Sequence, residues 1–119
     1  MLLPDWTTRY LSITYEELDC WELVNRVYHD RYGLDIGDIG DQVDMIKIGD
    51  WRDVLEEKTP SIEGDILLFK SSPVNRHVAL FLCDTYMLHS NKGTGVVIEK
   101  FSRPRWKDQL ISCYRHKSR

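Results

Sequence analysis

Apolar residues along this chain follow two different periods, and the change comes near Ile62. From Cys20 the apolar positions are Cys20, Leu23, Val24, Val27 and Tyr28, the i, i+3, i+4, i+7, i+8 spacing that puts side chains on one face of a helix. Asp19 is an N-cap for this helix, with Glu22 three residues on to complete a capping box, and Gly33 suits the C′ position that ends it. Thr14 with Glu17 offers a competing box, so a short turn could precede the helix, but the apolar spacing is cleaner from Asp19. Ahead of it, Pro4-Asp5-Trp6 suggests a short helix or turn, with Trp6, Tyr10 and Leu11 as packing residues. Residues 34–50 are rich in Gly and Asp and read as an irregular connection, with a short helix from Gln42 to Ile48. Asp50 then caps a second short helix, Trp51 to Glu57, ended by Lys58-Thr59-Pro60.

Beyond Ile62 the runs become short and strand-like. Gly64-Asp65 is a turn signal before Ile66-Leu67-Leu68-Phe69. His77 to Cys83 is the next strand, Asp84-Thr85 a hairpin turn, and Tyr86 to Ser90 the return strand. Asn91 to Gly95 turns again into Val96 to Phe101, Arg103-Pro104-Arg105-Trp106 interrupts, and Gln109 to Arg115 is the last strand. Helices followed by a meander of strands imply an α+β fold, with N-terminal helices packed on a central antiparallel sheet of about five strands. A chain of 119 residues without repeats fits one domain, residues 1–119.

Composition narrows the function more by exclusion than by assignment. The net charge of −3 is not that of a nucleic-acid-binding protein. The basic residues that gather late in the chain (Arg103, Arg105, Lys107, Arg115, Lys117 and Arg119) read as a solvated tail. Three cysteines without regular spacing are not a disulfide framework, which suggests folding in a reducing compartment. Met1-Leu2-Leu3-Pro4-Asp5 has neither a basic n-region nor a long apolar run, so no signal peptide is expected, and no window is long enough to insert in a membrane.

Chemistry gathers on few residues. Cys20 sits in the first turn of its helix, where the partial positive charge of the N-terminus lowers a thiol pKa and favours the thiolate; a small buried core residue is the other reading. His29 and His116 are expected at the surface, whereas His77 and His89 begin one strand and end its neighbour. A helix-start cysteine with two strand histidines supplies a nucleophile, a base and an orienting partner. Cys20 would attack a carbonyl, His77 would carry the proton, His89 would fix the tautomer of His77, and the Cys20 N–H would hold the oxyanion. No cofactor is required. A zinc site built from Cys20, His77, His89 and a carboxylate would have suitable ligand types but no common zinc spacing, and the Asp-rich stretch lacks the ligand order of an EF-hand, so no metal is expected. Cys83 and Cys113 read as packing residues, and Trp21, Trp51 and Trp106 as core or groove walls.

Asp19-Cys20-Trp21-Glu22-Leu23-Val24, then Gly64-Asp65-Ile66-Leu67-Leu68-Phe69, then His77-Val78-Ala79-Leu80-Phe81, then His89 twelve positions after His77, resemble the NlpC-type cysteine peptidases. These are papain-like hydrolases of bacterial cell-wall peptides. The resemblance runs from about Tyr10 to the C-terminus. It implies a Cys20-His77-His89 triad acting on amide bonds of peptidoglycan stem peptides, and an upstream tyrosine that lines the site and helps the oxyanion. Tyr15 is the candidate for that tyrosine, with Tyr10 as the fallback, and Asp19 falls on the same oxyanion and substrate-binding side. The departures flank Cys20: Trp21-Glu22 stand where many members have Ser-Gly, the Gly pair before the cysteine is missing, and Thr14 replaces a proline.

Within that family the chain is most similar to phage tail-tip peptidases. The likeness lies in the aromatic after Cys20, in Tyr10 to Tyr15, and in the ending from Phe101 through Trp106 to Tyr114-Arg115. The resemblance implies tail-tip proteins as partners, and a chain made in the cytoplasm and delivered in the virion tail. A structural tail-tip or assembly protein that keeps the fold with little or no hydrolysis is the alternative.

Overall fold

A computed structural model of the chain describes residues 3–36, 55–72 and 76–119. Six strands, β1 (Leu55–Glu57), β2 (Ile66–Lys70), β3 (Arg76–Cys83), β4 (Tyr86–Asn91), β5 (Gly95–Lys100) and β6 (Leu110–His116), form one antiparallel sheet in the order β1-β6-β2-β3-β4-β5. Helix α1 (Cys20–Val27) packs against β3 and β4, and a four-residue helix, α2 (Pro104–Lys107), lies between β5 and β6. The fold is α+β, as the pattern predicts.

Alternation along the strands sorts the core into two layers. Ile66, Leu68, Val78, Leu80, Leu82 and Leu88 meet Leu23, Val24, Val27 and Tyr28 of the helical segment. Leu67, Phe69, Ala79, Phe81 and Met87 face the other way, onto Trp106 and Cys113. The period of two therefore makes β2 and β3 buried on both faces, which is why they read as continuous apolar runs.

The helix begins and ends where the sequence places its signals. Glu22 N donates to Asp19 Oδ1 at 2.8 Å, and Asp19 N donates back to Glu22 Oε1 at 3.4 Å. Past Val27 the coil widens into one π-helical turn, Tyr28–Tyr32, and Gly33 closes it in the left-handed region at φ 62°. Thr14 accepts from Glu17 N at 3.2 Å and organises the short turn that precedes α1.

Gly64 and Asp65 lock this helical segment to the sheet. The Tyr28 hydroxyl donates to the Gly64 carbonyl at 2.7 Å and the Tyr32 hydroxyl to that of Glu63 at 3.2 Å. Gly64 has φ 95°, a conformation that strains any L side chain, and a Cβ there would also crowd the Tyr32 hydroxyl at 2.5 Å. Asp65 is fully buried and accepts from Ser61 N, Ile62 N and both Nε and Nη2 of Arg115.

Several expectations need correction. Leu55 to Glu57 is a strand, not the end of a helix, because pairing with the free edge of β6 (Leu55 opposite His116) outweighs a three-residue apolar pattern compatible with either element. Among the described residues the sheet thus has six strands, in keeping with the about five expected. The end of the chain is not a free basic tail: Arg115 is bound to Asp65, the Arg119 guanidinium lies 3.8 Å from the Tyr32 ring centroid, and His116, paired with Leu55 of β1, is buried against Tyr28. Leu11 is exposed, while Tyr10 is buried and Trp6 half-buried beside it. The proposed helix from Gln42 to Ile48, Asp50 as a cap and Trp51 lie outside the described residues.

Candidate active site

The site forms where the sheet opens. Strands β3 and β4 pair at Cys83–Tyr86, Phe81–Met87 and Leu80–Leu88, and the ladder pairing ends there. Two residues further along β3, the amide of Val78 is turned toward the sulfur of Cys20. The N-terminus of α1 is thus seated against β3 one residue past His77. A second tie comes from β4, where the buried Ser90 hydroxyl donates to the carbonyl of Leu18.

His77 and His89 are brought together. His77 Nε2 lies 2.8 Å from His89 Nδ1, and His89 Nε2 lies 2.8 Å from Glu99 Oε1 on β5. Strand pairing explains the contacts: His89 is opposite Val97, and Met87 is opposite Glu99, so His89 and Glu99 are diagonal neighbours on one face. Trp106 covers the histidines, stacked on His77 at 5.2 Å and 26° and edge-on to His89 at 5.1 Å. Arg105 lies over the outer part of Trp106, 4.7 Å from its ring centroid.

Burial governs the protonation of this site. It pushes the Cys20 thiol up to about 11, against the opposing pull of the Val78 amide and the helix-start amides. It pushes His77 down to about 3, helped by the neighbouring His89 and Arg105. The expected lowering of the thiol by the helix end is therefore overturned: loss of solvent outweighs the helix dipole, and burial favours the uncharged form of both Cys20 and His77. Burial also lowers His89, against the raising effect of Glu99. For Glu99 burial acts upward, but the Trp106 indole, His89 and Arg105 outweigh it and hold the carboxyl below its ordinary value. Trp106 Nε1 is itself buried without a well-formed hydrogen bond.

Tyr15 and Asp19 both border Cys20. Burial raises the Tyr15 phenol, and the adjoining Cys20 and Asp19 raise it further. Tyr10 is elsewhere, its hydroxyl given to Asp30 at 2.8 Å in the π-helical turn. A cleft of about 150 Å³ flanks Tyr15, lined by Ser12, Thr14, Glu16, Gly93, Thr94 and Gly95. Its wall is built by the chain ahead of α1, which pairs with the edge of β5 through Val96 N to Ile13 O at 2.9 Å and Ser12 N to Val96 O at 3.1 Å.

Among the described residues no group of three or more His, Cys, Asp or Glu side chains converges in the manner of a metal site. The His89 nitrogens and His77 Nε2 are turned to one another and to Glu99. His29 is exposed, as expected, and Cys113 is buried while Cys83 is half-buried. No helix among the described residues is long and apolar enough to cross a membrane. Glu99 and Trp106 complete a neighbourhood that the motifs alone do not mark. The only hint of Glu99 in the sequence is a carboxylate interrupting the apolar run Val96-Val97-Ile98.

Fold and motif order together define the class: the chain belongs to the NlpC/P60 family, whose model matches residues 7–115. It is 25% identical over 107 residues to the Murein DD-endopeptidase MepS/Murein LD-carboxypeptidase of Escherichia coli strain K12, a match covering 89% of this chain and 53% of that protein. The proteins of the same description from strains O6:H1 and O157:H7 match to the same extent. The chain thus spans about half the length of these curated relatives. Its fold is shared with a crystal structure from Staphylococcus aureus subsp. aureus Mu50, described as similar to lipoprotein, NLP/P60 family. There the TM-score is 0.67 at 23% identity, over 93% of this chain and 39% of that one.

Proposed function

We propose that this chain is a cysteine hydrolase that cleaves amide bonds in peptidoglycan stem peptides, with Cys20 as nucleophile, His77 as general base and acid, and His89 as the partner that orients His77. The observation that carries the reading is the 2.8 Å contact between His77 Nε2 and His89 Nδ1, in a member of the NlpC/P60 family. That contact uses one nitrogen of His77 and leaves Nδ1 for the thiol proton. The E. coli relatives described as murein endopeptidase and carboxypeptidase support the substrate class.

In this reading His77 Nδ1 takes the Cys20 proton as sulfur adds to the carbonyl carbon. The Cys20 N–H and the Tyr15 hydroxyl donate to the tetrahedral oxyanion, and Asp19, through its capping box with Glu22, holds the helix start beside Cys20. Collapse breaks the C–N bond, and the amine leaves with the proton from His77. Water, deprotonated by His77, then cleaves the thioester. The buried, uncharged resting pair suits a concerted proton transfer, in which thiolate character develops only as the carbonyl is attacked.

Residues 1–119 act as one peptidase domain in this reading, without a cofactor. The likeness to tail-tip peptidases supports a setting in the phage virion, where the chain, made in the cytoplasm, would meet other tail-tip proteins and open the wall at infection. The test is digestion of purified peptidoglycan by wild type and Cys20→Ala, with mass analysis of the released fragments. New amine termini with wild type alone are expected. Identical, undigested profiles would reject the hydrolase reading in favour of a structural tail component.

A further inference from the structure

We infer that Glu99 is a positioning residue that sets the tautomers of both histidines, so that His77 presents a bare Nδ1 to Cys20. Glu99, His89 and His77 form a line of three side chains joined by hydrogen bonds, so the donor of one contact fixes the donor of the next. An ionised carboxylate can only accept, so the proton between Glu99 Oε1 and His89 Nε2, 2.8 Å apart, resides on His89. A neutral imidazole carries one proton, so His89 Nδ1 is then a lone pair. The 2.8 Å contact with His77 Nε2 therefore has His77 as donor. His77 is also neutral with one proton, and that proton is now placed at Nε2. Its Nδ1 is left as the lone pair required of a base.

Without the carboxylate nothing chooses the direction of this relay. The reversed arrangement, with His89 donating from Nδ1 and His77 carrying its proton on Nδ1, makes as many hydrogen bonds between the rings but offers Cys20 no acceptor. Glu99 is suited to the role because it is itself held: Trp106 lies over the histidines and beside the carboxyl, and Arg105 lies over Trp106. The covering indole keeps water from competing for the ring nitrogens. When His77 takes the thiol proton, the imidazolium donates to His89, and the negative charge at the far end stabilises it through that ring. Glu99 touches neither substrate nor sulfur in this arrangement.

As a catalytic role this inference rests on the hydrolase reading above; as a statement about ring protons it does not, and the two are tested apart. Nitrogen-15 NMR of the histidine rings in wild-type protein, without substrate, is expected to show His89 protonated at Nε2 and His77 at Nε2. In Glu99→Gln the amide can donate, and a mixture or reversal of tautomers is expected. Wild-type rings protonated at Nδ1 would overturn the inference whatever the protein hydrolyses. On peptidoglycan fragments, Glu99→Gln is expected to lower kcat on the order of 100-fold with KM little changed, since general acid–base assistance is worth about that much. Glu99→Asp is expected to recover most of the loss. Unchanged kcat in Glu99→Gln, in a preparation where Cys20→Ala is inactive, would overturn the positioning role while leaving the hydrolase reading intact.

Discussion

The hydroxyl of Ser90 donates to the carbonyl of Leu18 across 72 residues of sequence, tying the residue after His89 to the turn that delivers Cys20. Both residues are buried, Ser90 completely. The bond therefore sets how far the helix start can drift from the histidine strand. Ser90→Ala leaves a buried carbonyl short of a partner and should cost about 1–3 kcal/mol of stability. Because the bond fixes the proposed nucleophile rather than the substrate, kcat should fall while KM holds. Chemical denaturation and steady-state kinetics on the same preparation check both. Loss of stability with kcat unchanged would show that Cys20 is located by α1 packing alone.

The direction of the two pKa shifts at the site predicts an unusual pH profile. The proposed reaction needs one proton shared between the Cys20 sulfur and the His77 imidazole. The acid limb comes when His77 gains a second proton, at about 3, and the basic limb when Cys20 loses its proton without His77 taking it, at about 11. Activity as kcat/KM should thus be flat from roughly pH 5 to 9, with no inflection near the ordinary histidine value of about 6.5. For the same reason Cys20 should alkylate slowly at neutral pH and faster as pH rises. An acid limb centred near the ordinary histidine value would mean that His77 is solvated in the working enzyme.

Gly95 links the β5 edge to the cleft at Tyr15. It sits at φ 74°, and a Cβ there would come within 2.4 Å of the Ile13 carbonyl oxygen. Both the strand edge and the chain leading to Tyr15 depend on that approach. Gly95→Ala should cost about 1–3 kcal/mol through backbone strain and displacement of residues 12–15. Tyr15→Phe removes only the hydroxyl and should leave stability nearly unchanged while lowering kcat at least about 10-fold, as expected for loss of an oxyanion donor. Thermal melts paired with kinetics separate the two. A Tyr15→Phe enzyme with full kcat would take Tyr15 out of the oxyanion role.

How much of this is legible in the sequence depends on the range of the interaction involved. The capping box at Asp19 and Glu22, the stop at Gly33 and the strand runs of β2 to β5 are local patterns, and each lies where its residues predict. Leu55 to Glu57 is not local: three residues with one apolar side chain carry no period, and only the free edge of β6 makes them a strand. His116 and Arg115 read as tail residues because their partners, Tyr28 and Asp65, are 88 and 50 positions away. At the site, Cys20, His77 and His89 stand out through residue type and spacing. Glu99 does not, because a single carboxylate in a strand looks solvated until its diagonal neighbour is known. The thiol shift is misjudged for a related reason: the helix dipole is visible in the pattern, but the burial that outweighs it is a property of the folded packing.

The Asp65–Arg115 pair gives the fold a predictable acid sensitivity. Asp65 is fully buried and receives two backbone N–H groups besides the guanidinium. Burial alone would raise its carboxyl, but Arg115, Ser61 and Ile62 more than compensate and hold it below the ordinary aspartate value. A carboxyl whose folded pKa is depressed adds stability that is complete above its unfolded value, about 3.9, and lost as pH falls through the folded one. Asp65→Asn keeps the shape but strips the charge opposite Arg115 and replaces acceptor positions with donors. It should cost about 3 kcal/mol at neutral pH, the low end for breaking a buried pair. The mutant should also lose this part of the pH dependence, so the stability gap to wild type narrows as pH falls below about 4. Urea titrations of both proteins from neutral to acid pH measure that gap. A gap that stays constant across the range would mean that Asp65 acts through shape and neutral hydrogen bonds rather than through its charge.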